Sequence, residues 1–247
     1  MIVIPMAGLS SRFTKAGYTK PKYMLEAHGK SLFHHCILSF ERYFEKEDFL
    51  FIARNIDDTK SFIDTECESL GIQSYKIAML TEPTRGQAET VYQGISQLEI
   101  KPNCGITIFN IDTIRPGFCY PGYLDKTVDG YLEVFNGPGE NWSFIEPSSD
   151  QSVIRTTEKN RISDYCSNGL YYFKSWEIYL EAYNHMLKED KENWQAGELY
   201  IAPLYNHLIQ QGCNIKYQLI NQSDIIFSGT PIEYTTFIES NYKLEST

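Results

Sequence analysis

Basic residues are scarce in this sequence, and their scarcity excludes one large class of partner. The 22 Lys and Arg residues stand against 32 Asp and Glu, which gives a formal net charge of −10. A nucleic-acid-binding surface needs clustered cations that contact the phosphate backbone, so the composition argues against one. A small anionic substrate is still allowed, because a few local cations can override the overall field.

Long apolar runs and paired cysteine motifs are also missing. No stretch is long enough to cross a membrane, and the apolar start MIVIPMAG follows no basic segment of the kind that opens a signal peptide. The six cysteines are scattered without CxxC spacing, which argues against structural zinc and fits free thiols in a reducing compartment. We therefore expect a cytoplasmic protein that binds neither membrane nor nucleic acid. The sequence leaves homo-oligomerisation open.

Strand and helix signals alternate over the first half of the chain. The predicted elements are strands within 1–7, 49–53, 75–80 and 106–110, and helices after Ser31, over 57–70 and after Gly86. Strict alternation predicts an α/β fold, in which a mostly parallel sheet is covered by helices on both faces.

The pattern changes from about residue 128. Short apolar pieces separated by Gly, Pro, Asn and Asp predict a small antiparallel insertion. Behind it we expect helices over 176–188 and 198–211, a strand near 214–219 and a last helix opened by Gly229-Thr230-Pro231. Because no repeat or linker is visible, we predict a single domain over residues 1–247.

A loop of small residues follows the first predicted strand. Gly8-Leu9-Ser10-Ser11 would let backbone N–H groups approach phosphate oxygens, and the forked guanidinium of Arg12 could pair with them. Lys20-Pro21-Lys22 adds two cations on an arm that the proline stiffens. Ligands of open α/β sheets bind at such strand ends. Taken alone, however, the loop fits an ordinary turn with solvated cations better than a phosphate site.

The run IPMAGLSSRF, followed by KPKYML, resembles the start of the sugar-1-phosphate nucleotidyltransferases. Their signature is a strand, then Gly-X-Gly-[ST]-Arg, then Pro-Lys or Ser-Lys before a hydrophobic strand; Leu9-Ser10 alters its first part here. The resemblance implies two catalytic residues: Arg12, which would bind the triphosphate, and Lys22, which would bridge the α-phosphate and the incoming phosphate. The implied nucleotide contacts in the loop are Ala7, Gly8, Ser10 and Ser11.

The segment Glu82-Pro83-Thr84-Arg85-Gly86-Gln87-Ala88 is similar to the base-recognition segment of the same family. The implied nucleotide contacts are Glu82, Gly86 and Gln87. A carboxylate only accepts hydrogen bonds, so Glu82 would suit the amino group of cytosine or guanine and would favour CTP or GTP over UTP or dTTP. A helix-capping role for Glu82 is an equal alternative.

Asn110-Ile111-Asp112 resembles the family's metal-binding motif, so we expect Asp112 to hold Mg²⁺. An aspartate after a strand is by itself more often a turn residue. Gly229-Thr230-Pro231 resembles the family's terminal motif, but Phe227 stands where that motif carries a second metal-binding aspartate. Asp224 is the candidate replacement, with no geometric support from the sequence.

Two further segments resemble the family's sugar-binding blocks. One is Glu158-Lys159 together with Asn168-Gly169 in the predicted strand NGLYYF, and the other is Gly197-Glu198-Leu199-Tyr200. The implied acceptor contacts are Glu158, Lys159, Asn168, Gly169 and Glu198. An ordinary surface ion pair is the alternative for Glu158 and Lys159.

Taken together, these matches occur in the family's order over nearly the whole chain. They imply a Rossmann-like, GT-A-type sheet with a small antiparallel sugar-binding insertion, in which residues 1–125 bind the nucleotide and residues 126–247 the acceptor. The implied reaction joins a nucleoside triphosphate to a sugar 1-phosphate with Mg²⁺ and releases pyrophosphate, as in bacterial capsule and surface-polysaccharide enzymes. The alternatives are a cytidylyltransferase for phosphocholine or glycerol phosphate, a GT-A-type glycosyltransferase and an inactive nucleotide-binding module.

Overall fold

A computed structural model describes residues 1–56, 58–125 and 127–242. The predicted helix start at residue 57, the predicted boundary at residue 126 and the segment 243–247 lie outside the described residues. The strands are β1 (Ile2–Pro5), β2 (Glu26–Ala27), β3 (Lys30–Ser31), β4 (Phe49–Arg54), β5 (Tyr75–Leu80), β6 (Ile106–Phe109), β7 (Thr113–Ile114), β8 (Gly130–Asn136), β9 (Ser143–Pro147), β10 (Val153–Glu158), β11 (Tyr165–Phe173), β12 (Ile215–Ile220) and β13 (Ile226–Phe227). The α-helices are α1 (Ser11–Lys15), α2 (Leu32–Leu38), α3 (Thr59–Leu70), α4 (Gln87–Ile95), α5 (Trp176–Met186), α6 (Leu204–Gln210) and α7 (Pro231–Glu239).

One nine-stranded sheet organises the molecule. Its order is β10-β9-β11-β6-β1-β4-β5, with β8 paired to β11 and β12 paired to β8. The central strands β6, β1, β4 and β5 run parallel, and β11 runs antiparallel to β6, β8 and β9. The predicted α/β class, with a mainly parallel central sheet flanked by helices, is confirmed. None of the helices in the described part of the chain has the length and apolar character that a bilayer span requires.

The central strands are buried on both faces. Val3 of β1 belongs to the same core cluster as Val91 of α4, whereas Ile2 and Ile4 belong to a second cluster with Ile37 of α2. Successive strand residues point to opposite faces, so each face of β1 packs against its own helix layer. This arrangement explains why the strand reads as an uninterrupted apolar run.

Several helix boundaries follow the predicted signals. The Ser31 side chain accepts the N–H of His34 and caps α2, and Gly71, with φ of 74°, ends α3. Thr230 and Glu233 form a reciprocal capping box at the start of α7, where Pro231 occupies the first turn. The α2, α3 and α7 signals therefore act as their chemistry predicts.

The helix predicted over 198–211 is wrong in its first part, because α6 begins only at Leu204. Leu199 lies instead against the start of α4: its N–H donates to Arg85 O at 3.0 Å, and its carbonyl accepts the N–H of Ala88 at 2.8 Å. These hydrogen bonds tie the 197–200 segment to the residues before α4, which positions both segments at one edge of the sheet.

Strand β11 links the parallel strands to the antiparallel insertion. Its register against β8 shifts between Ser167 and Tyr171, and Gly169 within this bulge has φ of 93°. Before the bulge Cys166 pairs with β9, and after it Leu170 pairs with β6. A Cβ at position 169 would lie 2.2 Å from Asn110 Nδ2, so the close packing of the bulge against the end of β6 requires glycine.

Candidate active site

Two large cavities lie at the carboxyl ends of the parallel strands, where open α/β sheets bind their ligands. The loop cavity, about 560 Å³, lies between residues 7–11, 83–87 and 197–200. The insertion cavity, about 620 Å³, lies between the bulge of β11, residues 138–143 and residues 227–233. Gln87 and Tyr200 line both, so the two cavities are neighbours.

The loop cavity gathers most of the predicted nucleotide contacts. Its lining includes Ala7, Gly8, Ser10, Ser11, Gly86 and Gln87. Glu82 is exposed and does not line this cavity, although the neighbouring Pro83 and Thr84 do. The geometry therefore gives no support to Glu82 as the residue that reads the base.

Gly86 has a clear steric reason to be glycine. Its φ is 153°, and a Cβ there would lie 2.5 Å from Leu199 O and 2.6 Å from Leu199 N. The backbone at the start of α4 thus packs directly on Leu199, and no larger residue fits without displacing that backbone. This contact holds the two walls of the loop cavity together.

Lys22 and Asp112 meet between the cavities. Lys22 begins a short 3-10 helix and Asp112 follows β6, and their Nζ and Oδ2 atoms are 2.5 Å apart. A smaller cavity of about 190 Å³ includes both residues together with Gly8 and Gln87 in its lining. The predicted catalytic lysine and metal-binding aspartate are therefore brought together beside the loop.

The electrostatics of Asp112 favour its charged form. Burial by itself would raise the pKa of Asp112, but the charge and hydrogen bond of Lys22, together with the charge of Arg12, outweigh it and lower the pKa. Arg12 also lines the insertion cavity beside Asp112. Asp112 therefore connects the three predicted residues of the reaction centre, because it shares the insertion cavity with Arg12 and the smaller cavity with Lys22.

The residues around Asp112 fit a magnesium ion. A Cβ at Gly229 would lie 2.7 Å from Asp112 Oδ2 and 3.6 Å from Glu233 Oε2, so these two carboxylates flank the same glycine. Mg²⁺ at nucleotide sites is held by one or two carboxylates together with phosphates and water. Asp112 offers such a carboxylate, and Glu233 offers a second one, whose Oε2 also accepts the N–H of Thr230 in the capping box. Within the described ranges, no group of three or more His, Cys, Asp or Glu could hold a metal by itself.

The alternative ligand Asp224 lies elsewhere. It ends a short 3-10 helix, where Asn221 Nδ2 lies 3.5 Å from its Oδ2, and it does not line the insertion cavity. Its prediction as a second metal ligand therefore receives no support, whereas Glu233 lines the cavity with Asp112 and lies beside the same glycine, Gly229.

Glu158 lies in the insertion cavity and is 7% exposed. Ser143 Oγ donates to its Oε2, and the Tyr171 hydroxyl lies 3.1 Å from Ser143 Oγ. Burial raises the pKa of Glu158, against the hydrogen bond of Ser143 and the charge of Lys159. A buried carboxylate with one hydrogen-bond donor in the protein has capacity left for donors on a ligand.

Two of the predicted acceptor contacts are placed differently. Lys159 does not line the insertion cavity; its Nζ donates to the Tyr200 hydroxyl and lies 4.6 Å from that ring centroid. Lys159 follows the end of β10 with a left-handed φ of 52°, so the chain turns there and Lys159 does not continue the strand from Glu158. Glu198 lines the loop cavity rather than the insertion cavity.

Asn168 and Gly169 both line the insertion cavity from the bulge of β11. The Asn168 amide is nevertheless occupied within the protein: Nδ2 donates to Glu133 Oε2 at 2.6 Å, and Oδ1 accepts the N–H of Leu170 at 3.0 Å. Glu133 is itself buried and paired with Arg115 at 2.9 Å. Asn168 therefore stabilises the cavity floor through its side chain.

Aromatic residues complete the insertion cavity. From the sequence, core packing is the default expectation for Trp142 and Tyr171, and lining of the sugar lobe is the alternative. Trp142, Tyr171, Tyr200 and Phe227 all line it. The sequence does contain a signal for Phe227, because this large ring stands where the resembled motif carries an aspartate.

The chain resembles solved structures of sugar-nucleotide enzymes. It is 53% identical to a nucleoside-diphosphate-sugar pyrophosphorylase from Vibrio cholerae RC9, over 97% of this chain and 100% of that chain, with a TM-score of 0.93. The fold is shared with the inositol-1-phosphate CTP transferase from T. maritima, at 12% identity over 98% of this chain and 97% of that chain, with a TM-score of 0.72. It is also shared with a UDP-glucose pyrophosphorylase complexed with UDP-glucose, at 12% identity over 96% of each chain, with a TM-score of 0.73. A scan against protein-family models and a search of curated proteins found no match.

Proposed function

The chain belongs to the nucleoside-diphosphate-sugar pyrophosphorylase family of nucleotidyltransferases, and from this premise we propose that it condenses a nucleoside triphosphate with a sugar 1-phosphate. The products are a nucleoside-diphosphate sugar and pyrophosphate. The observation that carries the proposal is the position of Asp112, which contacts Lys22 beside the loop and lines the insertion cavity together with Arg12. Each cavity is large enough for one substrate, and the charged residues lie where the two phosphates would meet.

The proposed reaction needs charge neutralisation more than covalent help from the protein. An oxygen of the sugar phosphate attacks the α-phosphorus, a new P–O bond forms, and the bond to the β-phosphate breaks in line as pyrophosphate leaves. Both reactants are anions, so Arg12 and Lys22 offset their repulsion and stabilise the charge of the transition state. The attacking phosphate is already ionised and needs no general base.

Mg²⁺ is the proposed cofactor, with Asp112 and Glu233 as the residues that would hold it. When bound, the ion neutralises charge on the triphosphate. Lys22 contacts Asp112 in this structure.

CTP and GTP are the proposed triphosphates, now on the basis of Glu198 rather than Glu82. Glu198 lines the loop cavity, and its carboxylate can accept hydrogen bonds from the exocyclic amino group of cytosine or guanine. Uracil and thymine have no exocyclic amino group, and they carry a carbonyl oxygen where cytosine carries its amino group; a carboxylate repels that oxygen. In the insertion cavity, Glu158 supports a sugar acceptor, because it can accept hydrogen bonds from hydroxyl groups.

A role in cytoplasmic synthesis of capsule or surface-polysaccharide precursors completes the proposal. It is supported by the resemblance of the N-terminal and terminal motifs to those enzymes. Deleting the gene should then deplete one nucleoside-diphosphate sugar in the cell extract. An unchanged sugar-nucleotide pool would contradict the assignment.

The test of the activity is pyrophosphate release from each of four triphosphates in combination with sugar 1-phosphates, phosphocholine and glycerol phosphate. Release with CTP or GTP and a sugar 1-phosphate is the expected result. Release with phosphocholine or glycerol phosphate alone would identify a cytidylyltransferase for non-sugar phosphates. Release of a nucleoside diphosphate from a sugar nucleotide would identify a glycosyltransferase, and binding without turnover would identify an inactive module.

A further inference from the structure

Two aromatic rings form one wall of the insertion cavity. The centroids of Trp142 and Phe227 are 4.8 Å apart, with an angle of 48° between the ring planes. Behind them the fully buried ring of Phe135 lies 5.2 Å from Trp142 and 5.3 Å from Phe227. We call Trp142 and Phe227 the aromatic wall. Because Phe135 supports both rings, their orientation is set before any ligand binds.

The backbone on the Trp142 side of the wall is held by hydrogen bonds. Trp142 Nε1 donates to Pro138 O at 3.0 Å, which closes the 138–142 loop on itself. Arg161 Nη1 donates to Gly137 O at 3.0 Å and to Gly139 O at 2.7 Å. A binding surface that is already ordered loses little conformational entropy when a ligand arrives.

Phe227 is held at the other end of the wall by its strand. It pairs with Thr113 in the β13–β7 ladder, and the next residue, Ser228, donates its N–H to Asp112 O at 2.9 Å. The ring of Phe227 is therefore fixed relative to Asp112, next to the predicted phosphate position. The residue that replaces a carboxylate in the resembled motif is thus part of the cavity surface, not a gap in it.

Polar groups line another side of the same cavity. Glu158 and Ser143 lie there with Tyr171, which belongs to a different core cluster from the aromatic wall. A pyranose ring has the matching pattern, with an apolar face of C–H groups and a rim of hydroxyl groups. Apolar walls combined with a few placed polar groups are typical of small-ligand sites.

We propose that Trp142 and Phe227 determine acceptor specificity by packing against the apolar face of a pyranose 1-phosphate while Glu158 accepts its hydroxyl groups. This inference rests on the proposed function, because it places the acceptor in the insertion cavity. It gives position 227 a role in binding the sugar in place of a role in binding metal. The wall also disfavours glycerol phosphate, which has neither a ring face nor a quaternary ammonium group to cover the aromatic rings.

The first test uses the tryptophans as reporters. Of the three in the chain, Trp142 lines the insertion cavity and Trp194 lines the loop cavity. Fluorescence is titrated with a panel of pyranose 1-phosphates, with and without a non-hydrolysable triphosphate. The expected result is a saturable change that disappears in Trp142→Phe, whereas the change caused by the triphosphate alone persists through Trp194. A sugar-phosphate signal that survives in Trp142→Phe would overturn the proposal.

The second test separates a sugar wall from a lost metal site. Phe227→Ala and Phe227→Asp should each raise the KM for the sugar 1-phosphate about tenfold, with the KM for triphosphate and the Mg²⁺ concentration for half-maximal rate within twofold of wild type. Phe227→Leu keeps an apolar side chain, so its KM for the sugar 1-phosphate should lie between that of wild type and those of Phe227→Ala and Phe227→Asp. A higher turnover and a lower Mg²⁺ requirement in Phe227→Asp would instead identify a damaged metal site and contradict the proposal.

The acceptor panel distinguishes the two proposals from each other. If Trp142 gives a saturable signal with sugar phosphates and no pair of substrates releases pyrophosphate, the proposed reaction is rejected, but binding of the sugar by the aromatic wall is supported. If both Trp142→Phe and Phe227→Ala release pyrophosphate from sugar 1-phosphates at the normal rate with unchanged KM, only the proposal that the aromatic wall binds the sugar is rejected. A Trp142 signal with phosphocholine and none with sugar phosphates would also overturn the wall proposal, since aromatic rings bind quaternary ammonium groups as well.

Discussion

Removal of the Lys22 ammonium group is the most direct perturbation of the proposed reaction centre. Lys22 Nζ lies 2.5 Å from Asp112 Oδ2, and the two side chains are only 19% and 25% exposed, so the charge is weakly screened. Loss of a preorganised donor of this kind lowers turnover about 10²- to 10³-fold, which corresponds to roughly 2.7–4 kcal/mol in the barrier. We expect Lys22→Ala to reduce the rate of pyrophosphate release by at least about a hundredfold.

The same substitution has a predictable effect on stability. Loss of a hydrogen bond to a charged group costs about 1.5–3 kcal/mol, which lowers the Tm of a chain of this size by roughly 3–12 °C at neutral pH. Asp112 has a lowered pKa in the folded protein, so the pair stabilises the fold fully above the ordinary pKa of aspartate. That contribution is lost as the pH falls through the folded pKa. The gap in Tm between wild type and variant should therefore close in acid.

A matched control is Lys60→Ala. Lys60 also contacts an aspartate, Asp64 at 2.8 Å, but it is 66% exposed on the surface of α3. An exposed pair contributes at most about 1 kcal/mol, so turnover should stay at the wild-type rate and Tm should change little. Near-normal turnover in Lys22→Ala, measured under saturating substrates, would refute the assignment of Lys22 to the reaction.

Three further predictions concern the cavity walls. Gly86→Ala should lose about 3 kcal/mol or more of stability in denaturant unfolding, because its Cβ would meet Leu199 O at 2.5 Å. Gly122→Ala is the control, because the space around Gly122 is open. Equal unfolding midpoints for the two variants would contradict the packing argument. Burial raises the pKa of Glu158, so the affinity for the acceptor should weaken as the pH falls through a value above the pKa of an ordinary glutamate. Calorimetric titration of Glu158→Gln should show no such pH dependence. If the variant keeps the pH profile of the wild type, Glu158 does not bind the acceptor. Asp112→Asn should raise the Mg²⁺ requirement at least about tenfold while Asp224→Asn leaves it unchanged, and the reverse outcome would reinstate Asp224 as the ligand.

The sequence predicts the sheet well because its signals are local. The apolar run of β1 and the caps of α2 and α7 each involve a few neighbouring residues, and the structure forms them where they are expected. The start of α6 is different. Residues 198–203 have a helical apolar pattern, but the backbone of Leu199 pairs with Arg85 and Ala88, far away in sequence. A tertiary contact therefore overrides the local preference, and no periodicity could reveal it.

The candidate site shows the same limit at the scale of single side chains. The motifs locate the right segments, yet adjacent residues within them separate: Glu158 enters the insertion cavity and Lys159 contacts Tyr200 instead. The motif implies an acceptor contact for Glu198, but Glu198 lines the loop cavity, because the neighbouring Leu199 is hydrogen-bonded to the start of α4. A motif specifies a segment, whereas the direction of each side chain depends on the local backbone conformation, such as the left-handed φ of Lys159, and on contacts made across the fold.

Strand β11 makes the two parts of the enzyme inseparable. Its second portion is the neighbour of β6, and β6 would otherwise be the last strand on that side of β1. If residues 1–125 were produced alone, β6 would present a bare, apolar ladder to solvent, which is a template for aggregation. The same strand also carries the bulge that lines the insertion cavity. Attempts to divide this protein into independent nucleotide and sugar modules, or to exchange one module between relatives, therefore need to carry β11 along with the parallel strands.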